Sequence, residues 1–147
     1  MTLVIRPLHR EDGADWRRLW TAYLEFYNSS VADAVYDSTF ERLLGDAPQD
    51  YSCLIAEYDG RPVGLVHYGF HRHCWKIENT CYLQDLYADP DMRGKGVGRA
   101  LIEAVYAAAD AAGHPSVYWT TQDFNTNARK LYDRIGQLTP FIKYVRP

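Results

Sequence analysis

Apolar residues along this chain recur with two different spacings, which together predict a mixed fold of helices and strands. Between residues 11 and 27 they recur every three or four positions, as on the buried face of a helix. Glu11 and Asp12 place acids in its first turn, where the helix dipole favours them, and Asn28-Ser29-Ser30 ends it. A second, shorter helix is predicted at 38–44, between a capping serine and a glycine.

Alternating or continuously apolar stretches predict the strands, which we place at 2–6, 51–58, 62–70, 81–88, 116–121 and 139–145. Asp59-Gly60 is a hairpin turn between the second and third of these. Two more helices are predicted at 97–112 and 125–135. The first has five inward positions, Val97, Leu101, Ala104, Val105 and Ala108. It crosses over between two strands, which are therefore expected to be parallel.

A glycine-rich turn follows the fourth strand. Asp89-Pro90-Asp91 ends that strand, and Arg93-Gly94-Lys95-Gly96-Val97-Gly98 then leads into the helix at 97–112. Glycines at every second position allow backbone N–H groups to point into one concavity, beside the positive end of the helix dipole. This arrangement predicts a site for a polyanion, most naturally a pyrophosphate.

The spacing of the glycines excludes two common pyrophosphate sites. A P-loop requires Gly-Lys followed by Ser or Thr, but Arg99-Ala100 follows Gly98. A dinucleotide-binding fold requires G-x-G-x-x-G and an acid about 20 residues later. This turn is G-x-G-x-G, and the next strand carries no acid before Asp123.

Length and composition favour one domain, residues 1–147, with its own hydrophobic core. We expect a cytoplasmic protein, because no apolar run reaches the length of about 18 residues that spans a membrane and no secretory signal pattern opens the chain. The 3 cysteines are an odd number without C-x-x-C spacing, so neither disulfides nor a zinc site is predicted. His71 and His73 have no third ligand nearby, and we expect no metal.

Charge is distributed unevenly between the two halves of the chain. Residues 1–60 carry 5 arginines and 11 acids, whereas residues 61–147 carry 11 basic and 8 acidic side chains. A basic half suits a phosphate-bearing cofactor and an acidic half suits a cationic substrate, although an ordinary solvated surface gives the same count. The overall net charge of −3 disfavours direct binding of nucleic acid.

The whole chain resembles the GNAT superfamily of N-acetyltransferases, and within it the histone-and-polyamine acetyltransferases. The turn fits the R/Q-x-x-G-x-G/A loop by which that superfamily binds acyl-CoA. The other stretches that carry the likeness are 16–20, 25–27, Tyr82-Leu83-Gln84-Asp85-Leu86-Tyr87, 115–120 and Asn125-x-x-Ala128-x-x-Leu131-Tyr132. The resemblance implies an α/β (α+β) fold, with a mixed sheet of six to seven strands, a splayed parallel pair and about four helices.

The resemblance also implies where acetyl-CoA binds. The strand at 81–88 would splay from its parallel neighbour, and backbone groups of Leu86, Tyr87 and Ala88 would pair with the pantetheine arm like an added strand. Arg93, Gly94, Lys95, Gly96, Val97, Gly98 and Arg99 would hold the pyrophosphate. Asn125 and Ala128 would contact the cofactor, and capping of the last helix is an equally good and compatible role for Asn125.

Tyr132 matches the family's tyrosine that protonates the departing thiolate. The residues alone favour a core tyrosine beside Leu131 and Ile135. Gln84 stands where diamine acetyltransferases carry a glutamate, and glutamine cannot accept a proton. Asp85 follows it, but strand alternation turns Asp85 to the other face unless a bulge intervenes. A water chain is the alternative base. We also expect Glu25, Tyr27, Trp75 and Asp85 to contact the amine substrate.

The sequence therefore predicts direct transfer of an acetyl group from acetyl-CoA to a primary amine, such as a polyamine, a lysine-like side chain or an amino acid. No cysteine is paired with a histidine at a recognisable site, so a covalent acyl-enzyme is not expected. Two alternatives remain at this stage. One is a non-catalytic acyl-CoA-binding or sensor module, and the other is an acetyltransferase for an antibiotic or another small amine. We expect a homodimer, because members of the family commonly self-associate. The 14% aromatic content is also high enough to leave apolar surface for a second copy to cover.

Overall fold

The computed structural model describes residues 2–147 and has a five-stranded sheet between two layers of helices. The strands are β1 (Leu3–Pro7), β2 (Ser52–Tyr58), β3 (Arg61–His71), β4 (Thr80–Ala88) and β5 (Val117–Tyr118). The helices are α1 (Gly13–Phe26), α2 (Asp33–Leu44), α3 (Val97–Ala111) and α4 (Thr126–Ile135). Short 3-10 turns lie at Arg10–Asp12 and Pro90–Met92.

The sheet keeps the order of the sequence, β1-β2-β3-β4-β5. The first four strands are antiparallel neighbours, and β5 runs parallel to β4. The predicted hairpin between β2 and β3 is confirmed, since Asp59 and Gly60 both have positive φ, at 51° and 80°. The predicted parallel pair joined by α3 is also confirmed.

Each face of the sheet has its own hydrophobic core. On one face, α3 buries Val97, Leu101, Ile102, Val105 and Ala109 against β2, β3 and β4. On the other face, α1 and α2 bury Trp16, Leu19, Trp20, Tyr36 and Leu43 against Cys53, Ile55 and Leu65. The sheet thus separates two environments, which we call the α3 face and the α1 face.

Two predicted helices differ from the structure in detail. The helix predicted at 38–44 begins at Asp33, five residues earlier, because the same spacing continues backwards to Tyr36, which packs on α1. In α3 the set of buried residues differs slightly from the predicted set. Ala104 and Ala108 are half-buried, whereas Ile102 and Ala109 are buried.

The end of the chain departs most from expectation. The strand predicted at 116–121 pairs only at Val117–Tyr118 and is not fully buried, because the chain then turns away from β4. Residues 139–145 form no strand in the described chain, and the sheet has five strands in place of six to seven. Five apolar residues from position 138 onward are exposed, Leu138, Phe141, Ile142, Tyr144 and Val145. Helix α4, which precedes the segment, contains no fully buried residue.

An extra residue in β4 decides which side chains reach each face. His67 lies opposite Asp85 while the next residue, Tyr68, lies opposite Leu83, so Gln84 is a bulge without a partner of its own. Without it, Leu83 and Asp85 would share a face. With it, Leu83 packs on the α3 face and Asp85 turns to the α1 face.

Close contact between α3 and the sheet depends on Gly64, because a Cβ there would lie 2.7 Å from the Tyr87 carbonyl oxygen and 3.1 Å from Val97 Cγ1. We predict that Gly64→Ala destabilises the fold by about 1–3 kcal/mol through overpacking. Gly13→Ala is the matched control, since its Cβ meets Phe40 at an ordinary 3.6 Å; it should stabilise by about 0.4–1 kcal/mol. Urea unfolding of both variants measures the difference, and equal stabilities would contradict the role of Gly64.

Candidate active site

The edge of β4 opens toward β5 after a short stretch of pairing. Cys81 pairs with Val117 and Tyr82 with Tyr118, and from Leu83 onward the ladder stops. The next six residues of β4, through Ala88, therefore present main-chain N–H and C=O groups on that side without a β5 partner. Exposed strand edges of this kind pair readily with another extended group.

The glycine turn lies at the end of this open edge. Gly94 and Gly96 have φ of 76° and 79°, and a Cβ added at either position would meet no atom within 4 Å. Gly96 caps α3, whose first N–H groups have no intrahelical acceptors. Three exposed cationic side chains surround the turn, Arg93, Lys95 and Arg99. The turn therefore has open space at its glycines and cationic side chains around it, and these features suit a pyrophosphate.

Helix α4 packs beside the start of α3. A Cβ on Gly98 would lie 3.5 Å from Leu131 Cδ2, and the Tyr132 ring meets Trp119 edge-on with the ring centroids 5.5 Å apart. Burial, followed by the neighbouring Tyr27, raises the pKa of Tyr132 to about 12. The hydroxyl of Tyr132 therefore keeps its proton at neutral pH and is able to donate it.

Asn125 stands at the N-cap position of α4, as expected, but its side chain does not cap the helix. Its Nδ2 lies instead 3.4 Å from Thr121 Oγ1. Ala128 is half-buried on the next turn of α4. The side chain of Asn125 is thus held against the segment that follows β5 rather than against its own helix.

Asp85 and His67 form a buried polar pair on the α1 face. They are 7% and 3% exposed, and Asp85 Oδ2 lies 2.8 Å from His67 Nδ1. Two indole groups complete the cluster. Trp16 Nε1 donates to His67 Nε2 at 3.0 Å, and Trp20 Nε1 donates to Asp85 Oδ2 at 3.2 Å. The half-buried Tyr23 of α1 adds a hydroxyl hydrogen bond to the same carboxylate.

Two tyrosines of α1 lie between Asp85 and Tyr132. The rings of Tyr23 and Tyr27 are 5.1 Å apart. Burial and then the Asp85 carboxylate raise the pKa of both phenols. Tyr23 also hydrogen-bonds Asp85, Tyr27 hydrogen-bonds Thr121, and Tyr27 contributes to the raised pKa of Tyr132.

A cavity of about 520 Å³ adjoins the acidic cluster on the α1 face. Its walls come from α1, α2, the segment before β2, and the bulge, and they include Trp20, Arg42, Asp50, Tyr51, Gln84 and Asp85. The volume is typical of a pocket for a small molecule. The cavity and the open edge of β4 thus meet at Gln84 and Asp85.

The structure brings together most, but not all, of the residues predicted for the site. Gln84 and Asp85 line the cavity and Tyr27 lies near Asp85, whereas Tyr132 packs against the core of the α3 face. Glu25 is exposed and does not line the cavity. Trp75 is 86% exposed on the connection before β4, where it packs on His73, and it does not line the cavity either.

Sequence reasoning missed His67, Trp20, Arg42 and Asp50. His67 carried a usable signal, because it stands two residues after the buried Leu65 in a strand and so belongs to the buried face. Its partners Trp16 and Asp85 lie 51 and 18 positions away in sequence and carried none. The wall residues Arg42 and Asp50 come from a helix end and a loop, whose placement depends on tertiary packing.

Other candidate chemistry is limited in residues 2–147. They contain no group of three or more His, Cys, Asp or Glu side chains arranged to bind a metal ion. Cys53 and Cys81 are buried free thiols, whereas Cys74 is exposed. His71 bonds through Nε2 to the Tyr118 hydroxyl at 2.8 Å. None of the described helices is both long and apolar enough to cross a bilayer.

Comparison with known families identifies the class of protein. Residues 16–137 match the model of the acetyltransferase (GNAT) family, and the chain belongs to this family. It is accordingly an N-acetyltransferase, which confirms the prediction of an enzyme over a non-catalytic acyl-CoA-binding module.

Curated relatives share the activity but differ in substrate. The chain is 34% identical over 145 residues to a D-amino-acid N-acetyltransferase of Saccharomyces cerevisiae, covering 98% of this chain and 90% of that protein. It is 32% identical over 141 residues to a thialysine N-epsilon-acetyltransferase of Mus musculus, covering 90% and 82%. The family and the acetyl transfer are therefore shared, while the amine is not fixed by these relatives.

Solved structures agree on the fold. A ribosomal-protein-alanine N-acetyltransferase from Brucella melitensis biovar Abortus 2308 superposes with a TM-score of 0.77 at 25% identity, covering 99% of both chains. An aminoglycoside N-acetyltransferase in complex with a CoA-linked bisubstrate analogue superposes with a TM-score of 0.86, covering 100% of this chain and 99% of the other. At 19% identity, the second likeness shows the fold alone.

Proposed function

We propose that this enzyme transfers an acetyl group from acetyl-CoA to the primary amine of a small molecule, by direct attack of the amine on the thioester. The observation that carries the proposal is the junction at Gln84 and Asp85. An open strand edge and a cationic glycine turn adjoin it on one side, and an acidic cavity adjoins it on the other. Two reactants entering from these sides meet at the bulge.

The cofactor is expected along β4 and the turn. Backbone groups of Leu86, Tyr87 and Ala88 would pair with the pantetheine arm, since this edge lacks a β5 partner. The seven residues from Arg93 to Arg99 would bind the pyrophosphate through backbone N–H groups and three cationic side chains. Asn125 and Ala128 would contact the cofactor from α4. Acetyl-CoA would supply the activated acetyl group.

This chain would assist the reaction in two ways. Backbone N–H groups of β4 would polarise the thioester carbonyl as the amine nitrogen attacks its carbon. The new C–N bond forms, the C–S bond breaks, and the sulfur leaves as a thiolate. Tyr132 would then give its proton to the thiolate. Its hydroxyl is protonated at neutral pH, and the raised pKa extends the alkaline range over which this holds.

Removal of a proton from the amine does not require a dedicated side chain. Gln84 is exposed at the bulge, but an amide cannot accept a proton, so we assign it to orienting water or substrate. An amine of pKa about 10.4 is neutral at a cost of roughly 4 kcal/mol at neutral pH. A water chain out of the cavity supplies this, and Asp85 is better suited to binding the ammonium form.

The substrate we favour is a small amine such as a polyamine, a lysine-like side chain or an amino acid. Support comes from the cavity, which combines the carboxylates of Asp85 and Asp50 with the guanidinium of Arg42. Relatives that act on D-amino acids and on thialysine fit the same chemistry. Tyr27 would contact this amine from α1. Glu25 and Trp75 would contact it only if it extends beyond the cavity, and the resemblance to the histone-and-polyamine group stays a prediction.

The first prediction tests the glycine turn. Gly96 and Gly113 both have φ near 80°, at 79° and 80°, and both have open space where a Cβ would lie. Gly96→Ala and Gly113→Ala therefore carry the same backbone strain of about 1–2 kcal/mol, at opposite ends of α3. Only Gly96→Ala should weaken acetyl-CoA binding, by about tenfold or more, because its methyl group occupies the space that the phosphates need. Calorimetry measures this, and equal affinities in the two variants would refute the proposed cofactor site.

The second prediction tests the acid. Tyr132→Phe removes one hydroxyl and little packing, and we expect kcat to fall by about 10²–10⁴ with nearly constant Kd for acetyl-CoA. Since the pKa of Tyr132 is raised to about 12, its contribution to kcat should persist through alkaline pH and be lost only as pH approaches that value. Steady-state kinetics across pH measure both effects. If the variant kept the wild-type kcat, the catalytic role of Tyr132 would be refuted and its role would be structural.

The third prediction concerns a homodimer, which we propose from the exposed apolar residues after α4. Phe141 and Tyr144 are 81% and 88% exposed, and a second copy would cover them. We expect a dimer at micromolar concentration by light scattering, and a monomer for Phe141→Asp combined with Tyr144→Asp. Unchanged circular dichroism would show that the variant is folded. A wild-type monomer in the presence of acetyl-CoA would contradict the dimer.

A further inference from the structure

The hydrogen bonds of His67 fix its protonation state. An indole N–H can only donate, so the bond from Trp16 Nε1 at 3.0 Å requires a lone pair on His67 Nε2. The ring proton must then be on Nδ1, which lies 2.8 Å from Asp85 Oδ2 and donates to it. The surroundings of His67 therefore select the neutral imidazole with its proton on Nδ1.

One of the two oxygens of Asp85 accepts two N–H hydrogen bonds. Oδ2 accepts from His67 Nδ1 and also from Trp20 Nε1, at 2.8 and 3.2 Å. Oδ1 takes part in neither bond, and Asp85 lines the cavity of about 520 Å³. These two fixed N–H donors set the plane of the carboxylate, and the Tyr23 hydroxyl also hydrogen-bonds it. A carboxylate has about four acceptor positions, so three neutral donors leave one position for a ligand.

A second buried carboxylate shows what is unusual about Asp85. Asp12 is equally buried, at 7% exposure, and the Arg6 guanidinium pairs with it at 2.8 Å. Within residues 2–147, no arginine or lysine forms an ion pair with Asp85. Its basic partner there is His67, which is neutral. A buried carboxylate held only by neutral donors keeps its negative charge uncompensated, and this is costly until a cation arrives.

We propose that His67 is a positioning residue that holds Asp85 ready to bind the ammonium group of the acceptor substrate. By donating from Nδ1 to Oδ2, it fixes the carboxylate in the wall of the cavity. Trp16 supports this role by keeping His67 neutral, because a cationic imidazolium would neutralise Asp85 and compete with the substrate. The inference rests on the proposed function, since it names the contact by which that site selects an amine.

The tautomer is tested directly by nitrogen NMR of the histidine ring in the wild-type protein. We expect the resonances of His67 to show a protonated Nδ1 and an unprotonated Nε2 at neutral pH. A ring protonated on Nε2, or on both nitrogens, would overturn the proposal. This measurement needs no substrate and no variant.

Matched substitutions test the function of the bond. In His67→Asn the amide nitrogen takes the place of Nδ1 and still donates to Asp85, whereas the similarly shaped His67→Leu cannot. Both leave Trp16 without its acceptor, so they share that defect. Hydrogen bonds to charged groups are worth about 10–100-fold in affinity, and we expect His67→Leu to raise the amine KM by this factor at nearly constant kcat and acetyl-CoA Kd. His67→Asn should restore most of the loss; an equal loss in both variants would overturn the proposal.

Coupling to Asp85 distinguishes positioning from packing. If His67 acts through the carboxylate, then adding His67→Leu to Asp85→Asn should raise the amine KM no further. Fully additive effects would overturn the proposal. The acceptor is whichever of L-lysine, a D-amino acid and putrescine the wild type acetylates fastest. A folded wild type that acetylates no amine would refute the proposed function itself, and the NMR result would still decide the tautomer.

Discussion

The arrangement of this enzyme depends on one backbone irregularity, the extra residue at Gln84 in β4. It changes which face of the sheet each later residue of the strand reaches, so a carboxylate enters the α1 face while Leu83 and Leu86 stay against α3. It also lies just beyond the last pairs between β4 and β5, where the strand edge becomes free. A single bulge therefore places the acidic group, the open edge and the junction between them within a few residues.

The sheet separates two different electrostatic environments. The glycine turn offers helix N–H groups and cationic side chains, which favour phosphate. The α1 face offers a buried carboxylate supported by neutral donors, which favours an ammonium group. Because these lie on opposite sides of β4, each can attract its own ligand without neutralising the other.

Local sequence spacing predicted the parts of the site that are built from consecutive residues. The glycine turn, the parallel crossover and the position of Asn125 all follow from short motifs, and the structure agrees with them. The bulge and the partners of His67 could not be predicted, because alternation says nothing about where a strand gains a residue or what packs above it. The strand expected at 139–145 is instead a feature that the sequence predicts and the structure lacks. Its residues favour extended pairing, but a strand also needs an edge to pair with, and β5 offers two residues.

Helix α4 buries few side chains, and this affects its stability relative to the rest of the fold. It carries Tyr132, yet none of its residues is fully buried, and β5 anchors the preceding segment through two residue pairs. Segments with few buried contacts open at a free-energy cost well below that of global unfolding. Amide hydrogens of α4 should thus exchange with solvent far faster than those of α3, whose buried stripe ties it to the sheet. Tyr132 therefore belongs to the helix with the fewest buried residues, and a ligand that contacts both α3 and α4 would reduce the motion of α4 most.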